Sequence, residues 1–188
     1  MSESIIRLGD CPSQRWKNGL GSTREIAVHP LTVGCSDFLW RASLAEVDST
    51  APFSRFPGID RHIVLLDGAG FTMTLDDNQL HPLTTPFEPL AFPGEARVGV
   101  QLAGGPSRDF NLMVQRSQAR GDVVVWRRQG YCPLTLTTVL VHAARGEIDT
   151  ADGTLRCGDS WRPAAPSNGH VLLREDAVAL MIRIERNL

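Results

Sequence analysis

The chain has 188 residues, with 19 basic and 21 acidic side chains and a formal net charge of −2. This length suits one domain or two small ones that share a core, and the near-neutral charge offers no basic surface to nucleic acid or an anionic membrane. Because no apolar run approaches membrane-spanning length and the N-terminus lacks a signal-peptide pattern, we predict a cytoplasmic protein without nucleic-acid or membrane partners.

Short stretches of alternating apolar and polar residues, separated by Gly, Pro and Asp, predict an all-β chain. Strands are predicted at 24–28, 38–47, 61–66, 71–75, 79–83, 88–92, 97–102, 109–115, 123–126, 134–143, 155–157, 170–173 and 177–184. A similar strand–glycine–strand order recurs after about 76 residues, which indicates a duplicated domain rather than a solenoid. We therefore predict two halves, 1–118 and 119–188, each a small antiparallel β-barrel or jelly roll of the cupin kind.

The stretch 16–26 carries more polar variety than a turn requires. Of the nineteen basic residues, eighteen are arginine, and Lys17 is the single lysine. A compact ammonium with a movable pKa at this position favours a functional role, although one lysine retained by chance at a turn is the alternative. The four cysteines show no Cys-x-x-Cys spacing, so neither a zinc site nor a redox pair is predicted.

The strand 38–47 has two faces of different character. Its alternation places Leu39, Arg41, Ser43 and Ala45 on one face and larger apolar side chains on the other. The face with small and polar residues lines either solvent or a ligand cavity.

Three segments resemble the signature segments of the HutD/Ves family: Trp16–Gly19 with Thr23–Ile26, Phe53–Arg61, and Arg108–Met113. The resemblance covers nearly the whole chain and implies a bicupin fold, in which two cupin halves are packed together. It also implies an association with histidine degradation. Members of the family have been suggested to bind an intermediate such as N-formylglutamate and to restrain the pathway rather than catalyse a step.

Cupins that bind a metal use a His-x-His pair, a Glu and a further His from adjacent strands. Here the segment 60–64 contains His62 without a second histidine, and Arg97 stands where the later histidine would be needed. The remaining histidines, at positions 29, 81, 142 and 170, are scattered. We therefore predict neither a metal nor another cofactor.

Polar residues of the first half can instead form an anion site. If the polar strand faces line the first barrel, Arg61 projects into the same cavity as Asn111, and Glu25 and Asp109 are the balancing anions. The predicted ligand-binding residues are Trp16, Lys17, Asn18, Thr23, Glu25, Arg41, Ser43, Arg61, Asp109 and Asn111. Such a cavity suits a small carboxylate. The alternative is that Arg61, Glu25 and Asp109 form an internal ion-pair network that holds the barrel together.

Two classes of function follow. The first is a regulatory or accessory protein that binds a small carboxylate, with no catalytic residue assigned. The second is a metal-independent isomerase or hydrolase for an acidic metabolite, with Glu25 or a histidine as general base and Lys17 stabilising an oxyanion. No nucleophile–base pair or Gly-x-Ser-x-Gly motif is visible, so binding is favoured and catalysis is left open, as is a scaffold with a relic cavity. The oligomeric state is also open, with a homodimer as one option.

Overall fold

The structure is a computed structural model that describes residues 4–16, 19–32, 37–50, 52–76, 78–164 and 169–187. Within these ranges, the regular structure consists of β-strands and one short 3-10 helix, Leu8–Asp10, which confirms the all-β prediction. No helix in the same ranges has the length and apolar character needed to cross a membrane.

Contacts between Cα atoms divide the chain into two compact units. The N-terminal unit comprises Pro12–Arg120 with Asn187–Leu188, and the C-terminal unit comprises Gly121–Arg186 with the residues before Pro12. The boundary that the sequence predicts, between 118 and 119, is close to this division along the chain. The first residues nevertheless join the C-terminal unit, because Ile5–Ile6 pairs with Ser160–Trp161.

The N-terminal unit contains two antiparallel sheets. The larger sheet has the order β2-β3-β4-β10-β5-β8, and the smaller has the order β7-β6-β9. Their strands are β2 (Ser13–Arg15), β3 (Gly21–Pro30), β4 (Phe38–Val47), β5 (Ile59–Gly68), β6 (Phe71–Leu75), β7 (Gln79–Leu83), β8 (Pro89–Pro93), β9 (Val98–Leu102) and β10 (Ser107–Gln115).

The C-terminal unit also contains two sheets, with the orders β1-β16-β13-β18-β11 and β12-β17-β14-β15. Their strands are β1 (Ile5–Ile6), β11 (Ala119–Trp126), β12 (Gly130–Pro133), β13 (Thr138–Arg145), β14 (Ile148–Thr150), β15 (Gly153–Leu155), β16 (Ser160–Trp161), β17 (His170–Leu173) and β18 (Val178–Arg186). The twelve buried residues of its core cluster include Leu155, Val171 and Met181.

Two predicted strands of the second half differ from the observed ones for local reasons. The strand predicted at 134–143 begins only at Thr138, because Thr135 and Thr138 close a turn in which the Thr135 N–H donates to Oγ1 of Thr138 at 3.1 Å. The strand predicted at 155–157 ends at Leu155. Its last residues form a turn held by Asp159, whose Oδ2 accepts from the Arg156 N–H at 3.0 Å.

The centre of the larger N-terminal sheet brings the predicted polar residues onto one face. Three rows of directly paired residues cross β4, β10 and β5 in that order: Ala45–Asp109–Leu65, Ser43–Asn111–Ile63 and Arg41–Met113–Arg61. Since directly paired residues of antiparallel strands point to the same side, these nine side chains share one face. The alternation predicted for β4 is confirmed.

The apolar members of this face belong to the core of the N-terminal unit. Ile63 and Leu65 lie in a buried cluster with Phe71 and Met73, and the partly buried side chains of Trp16 and Phe53 pack against this cluster. Trp16 and Phe53 also border the polar part of the face. The same face of the sheet therefore carries both apolar side chains of the core and the polar side chains of the predicted site.

Candidate functional site

A cavity of about 630 Å³ lies within the N-terminal unit, over the polar part of this face. Four of its lining residues are charged: Arg15, Arg41, Arg61 and Asp109. The others are the polar residues Gln14, Thr23, Ser43, Ser54 and Asn111 and the largely apolar residues Trp16, Ala45, Pro52, Phe53, Phe56 and Met113.

The structure brings together most of the predicted site residues. Trp16, Thr23, Arg41, Ser43, Arg61, Asp109 and Asn111 all line the cavity. Lys17 and Asn18 lie outside the described residues. Glu25 is not part of the lining: its side chain is 44% exposed, and its Oε2 lies 2.8 Å from Nε of Arg41 in an ion pair that lacks hydrogen-bond alignment. A β-bulge between Glu25 and Ala27 interrupts the alternation there.

Arg61 is a buried cation with a fixed orientation. Only 6% of the residue is exposed, and its Nε and Nη2 groups donate to Oδ1 of Asn111 at 3.3 and 3.1 Å. The guanidinium carbon lies 5.4, 5.5 and 5.0 Å from the ring centroids of Phe53, Phe56 and Phe92, within cation–π range. Burial lowers the pKa of Arg61 to about 10, an effect that Asp109 opposes, so Arg61 stays charged at neutral pH.

Asp109 is a buried carboxyl group without a hydrogen bond. The residue is 1% exposed, and neither carboxyl oxygen has a hydrogen-bond partner in the part of the chain that the structure describes. Its neighbours across the sheet are the apolar residues Ala45 and Leu65. Burial raises the pKa of Asp109 to about 7, although the positive charge of Arg61 lowers it. The carboxyl group therefore changes its charge near neutral pH.

The predicted ion-pair network of Arg61, Glu25 and Asp109 is not formed by direct contacts among the described residues. Glu25 pairs with Arg41, Arg61 donates to Asn111, and Asp109 accepts no hydrogen bond. Arg61 and Asp109 interact only through their charges. The arrangement leaves a buried cation and a buried carboxyl group beside open volume.

Trp16 forms one wall of the cavity. Its Nε1–H donates to Oγ1 of Thr23 at 2.7 Å, and its ring meets Phe53 edge-on, with centroids 6.2 Å apart. The indole ring of Trp16 can occupy this position because residue 21 is a glycine. A Cβ at residue 21 would lie 2.7 Å from Cζ3 of Trp16 and 2.5 Å from the backbone oxygen of Glu46. Of the two glycines in the stretch 16–26, Gly21 therefore has a packing role.

The segment that contributes Pro52, Phe53, Ser54 and Phe56 to the lining is not among the predicted site residues. Backbone hydrogen bonds hold it, from Phe53 N–H to Val98 O at 3.0 Å and from Phe56 N–H to Gly94 O at 2.7 Å. Its match to a family segment was a signal, but the directions of side chains in an irregular segment do not follow from alternation. Ala45 could have been found, since it lies on the polar face predicted for 38–47, and Met113 follows from the same alternation applied to 109–115.

The lining does not fit a metal ion. Metal sites in proteins use imidazole, thiolate or carboxylate donors, whereas three of the four charged groups here are arginines, which repel a cation. Among the described residues, no group of three or more His, Cys, Asp and Glu side chains could hold a metal. The polar part of the lining carries guanidinium, amide and hydroxyl groups instead.

Comparison with known proteins agrees with this architecture. The HutD family model matches residues 9–181. An uncharacterised 21.2 kDa protein of the hutC 3′ region in Pseudomonas putida is 34% identical over 147 residues, 78% of this chain and 76% of that protein. Protein Ves of Escherichia fergusonii is 39% identical over 113 residues, 60% of this chain and 58% of Ves.

Solved structures show the same fold. HutD from Pseudomonas fluorescens SBW25, in a formate condition, superposes with a TM-score of 0.82 at 29% identity over 98% of this chain and 99% of its own. A cupin 2 conserved barrel domain protein from Leptotrichia buccalis superposes with a TM-score of 0.60 at 11% identity, covering 97% of each chain, which shows the cupin fold alone. With a family model that spans nearly the whole sequence and a cupin-like fold in its structure, this chain belongs to the HutD family.

Proposed function

We propose that this protein binds a small carboxylate in the cavity of its N-terminal unit and acts as a regulatory or accessory protein of histidine degradation, with N-formylglutamate as the candidate ligand. The observation that carries the proposal is Arg61, a buried cation on the cavity wall that is oriented by Asn111 and that no carboxylate of the described residues contacts directly. A volume of about 630 Å³ lies within the range of small-molecule sites.

The distribution of cations suits an acid with two carboxylates. Arg61 is buried, whereas the side chains of Arg41 and Arg15, nearer to solvent, are 27% and 71% exposed. A short dicarboxylate can therefore place one group against the buried guanidinium, where charge-assisted hydrogen bonds are strong, and the other near the more exposed arginines. The predicted roles of Lys17 and Asn18, outside the described residues, are part of the proposal.

Asn111 is placed to recognise a neutral group of the ligand. Its Oδ1 accepts both hydrogen bonds from Arg61, so its Nδ2 is the side of the amide left to donate to a ligand carbonyl. The hydroxyl group of Ser43, opposite Asn111 in the sheet, is a further donor or acceptor. A formamide next to a carboxylate matches this combination of an amide, a hydroxyl and a guanidinium.

The biological role rests on the relatives. The P. putida relative is a protein of the hutC 3′ region, and the family as a whole carries the HutD description. These associations support a place in histidine degradation. A role that requires only binding fits a cavity in which no nucleophile with an adjacent base lines the described wall.

One feature favours catalysis as the second candidate function. The carboxyl group of Asp109 has a pKa of about 7, which is the range in which a general acid or base works well. Both of its oxygens are buried, however, so a substrate would have to displace neighbouring side chains to exchange a proton with it.

Calorimetric and thermal-shift titrations of EDTA-treated protein test the proposal, with N-formyl-L-glutamate, L-glutamate, glutarate and urocanate as probes. A ligand at about 100 times its dissociation constant adds roughly 2.7 kcal/mol to the free energy of unfolding. Arg61→Met should weaken binding by about tenfold to a hundredfold, because a hydrogen bond to a charged group contributes about 1.5–3 kcal/mol.

Arg120→Met is the matched control, since Arg120 is an exposed arginine of the same unit and does not line the cavity. If Arg61→Met and Lys17→Ala both bind the carboxylate as tightly as the native protein, the site is assigned wrongly. Consumption of the bound compound, followed by NMR, would identify an enzyme instead.

A further inference from the structure

We propose that Asp109 couples anion binding to proton uptake: when a carboxylate binds at Arg61, the buried Asp109 carboxylate takes one proton from solvent, although it does not contact the ligand itself. The inference rests on the proposed function, carboxylate binding in the same cavity. It assigns Asp109 a role in controlling the charge that Arg61 presents, which differs from the roles of the residues that hold the ligand.

The carboxyl group of Asp109 is isolated from solvent and from hydrogen-bond donors. The residue is 1% exposed, and both of its oxygens lack a hydrogen-bond partner among the described residues. The residues opposite it, Ala45 on β4 and Leu65 on β5, are apolar and buried. A carboxylate in such surroundings loses its hydration without compensation, and an electrostatic attraction to Arg61 is what keeps it charged.

The second step is the competition for Arg61. The guanidinium donates to Asn111 and not to Asp109, so its interaction with Asp109 is purely coulombic. An incoming carboxylate that contacts the guanidinium directly brings a second negative charge to one buried cation. Two anions that share one cation in a low-dielectric site repel each other strongly, and protonation of the more deeply buried one removes the repulsion.

The other charged groups around the cavity do not replace Arg61 in this balance. On β4, Arg41 is already paired with Glu25 of β3, and on β2, Arg15 has a side chain that is 71% exposed and screened by water. On β5, Arg61 is the buried cation of the lining. The charge state of Asp109 therefore decides whether this buried pair presents a net positive charge or none.

The proton balance is simple. In the empty cavity at a pH above about 7, the pair is Arg61⁺ and Asp109⁻. Binding of one carboxylate with one proton gives Arg61⁺, the bound anion and a neutral Asp109 carboxyl group. Below about pH 7 Asp109 is already protonated, so the affinity no longer depends on pH. Above that pH, the dissociation constant should rise by up to about tenfold per pH unit, because each binding event must take up a proton.

Calorimetry with N-formyl-L-glutamate tests this coupling, with glutarate as a second probe. Titrations between pH 6 and 9 in Bis-Tris propane and in HEPES, which have different ionisation enthalpies and do not supply a small anion that competes for Arg61, yield the number of protons taken up. We expect nearly one proton at pH 8 for the native protein and nearly none for Asp109→Asn, whose affinity should be flat with pH. Asp122→Asn, at an exposed aspartate on β11, is the matched control and should behave as the native protein.

The outcomes separate the two proposals. If the native protein binds the carboxylate with a flat pH profile and no proton uptake, the coupling is refuted while carboxylate binding stands. If neither probe binds between pH 6 and 9, the proposed function is refuted and the coupling with it. Should Asp109→Asn fail to fold, ¹³C NMR titration of the Asp109 carboxyl group in the native protein tests the coupling instead. Bound N-formyl-L-glutamate must raise the pKa of Asp109, and an unchanged pKa would refute the coupling.

Discussion

The buried carboxyl group of Asp109 makes a quantitative prediction about stability without any ligand. Its pKa is about 7 in the folded chain and 3.8 at its ordinary value. Between these values the folded state binds a proton that the unfolded state has released, so the free energy of unfolding falls as pH rises. The slope is about 1.4 kcal/mol per pH unit, and the total loss is about 4 kcal/mol by the time the pH has passed through 7.

The assay compares the native protein with Asp109→Asn. Urea unfolding at pH 5, 6, 7 and 8 is followed through the NMR signals of β10 amides, which report on the unit that contains Asp109. The stability of the native protein relative to the variant should decrease by roughly 2 kcal/mol between pH 5 and 7 and level off by pH 8. Two stability curves that run parallel within about 0.5 kcal/mol over this range would show that the Asp109 carboxyl group titrates normally, and the reasoning would be refuted.

Three further predictions concern stability. Gly21→Ala should destabilise the protein by about 1–3 kcal/mol in urea, since its Cβ would lie 2.5 Å from a backbone oxygen, whereas Gly99→Ala, whose nearest neighbour would be 3.9 Å away, is the tolerated control. Phe110→Ala should cost about 3–5 kcal/mol in the same assay, because the ring is fully buried. Glu95 has a pKa lowered to about 2 by its hydrogen bonds to Arg116, so acid titration of the melting temperature should show stability present above pH 4.5 and lost towards pH 2, a loss that Glu95→Gln removes.

The alternation of residue types predicted the strands on which the site is built. The bounds of β4, β6, β7 and β17 agree with the predicted ranges, because each run is followed within three residues by Asp, Asn or Pro. On β10, the period of two places Phe110 and Asp109 on opposite faces of the strand predicted at 109–115, in agreement with the register.

Features that depend on several strands or on irregular backbone could not be predicted from the sequence. The sequence predicts Glu25 as a cavity residue, but the bulge that follows it and its ion pair with Arg41 do not follow from spacing. The rings of Phe53 and Phe56 reach Arg61 because backbone hydrogen bonds to residues about forty positions away hold their segment in place. The pattern of neighbouring residues in the sequence does not identify hydrogen-bond partners that are so far away along the chain.

The sequence by itself determined the class of the fold, the faces of the central strands and the family, since these depend on local periodicity and on short motifs. Only the tertiary structure decided that Asp109 sits between apolar neighbours and beside a buried arginine that bonds elsewhere. The physical reason is that the pKa of a carboxyl group depends on the solvent and charges that the folded chain removes from it or places near it, and residues far apart in sequence supply both.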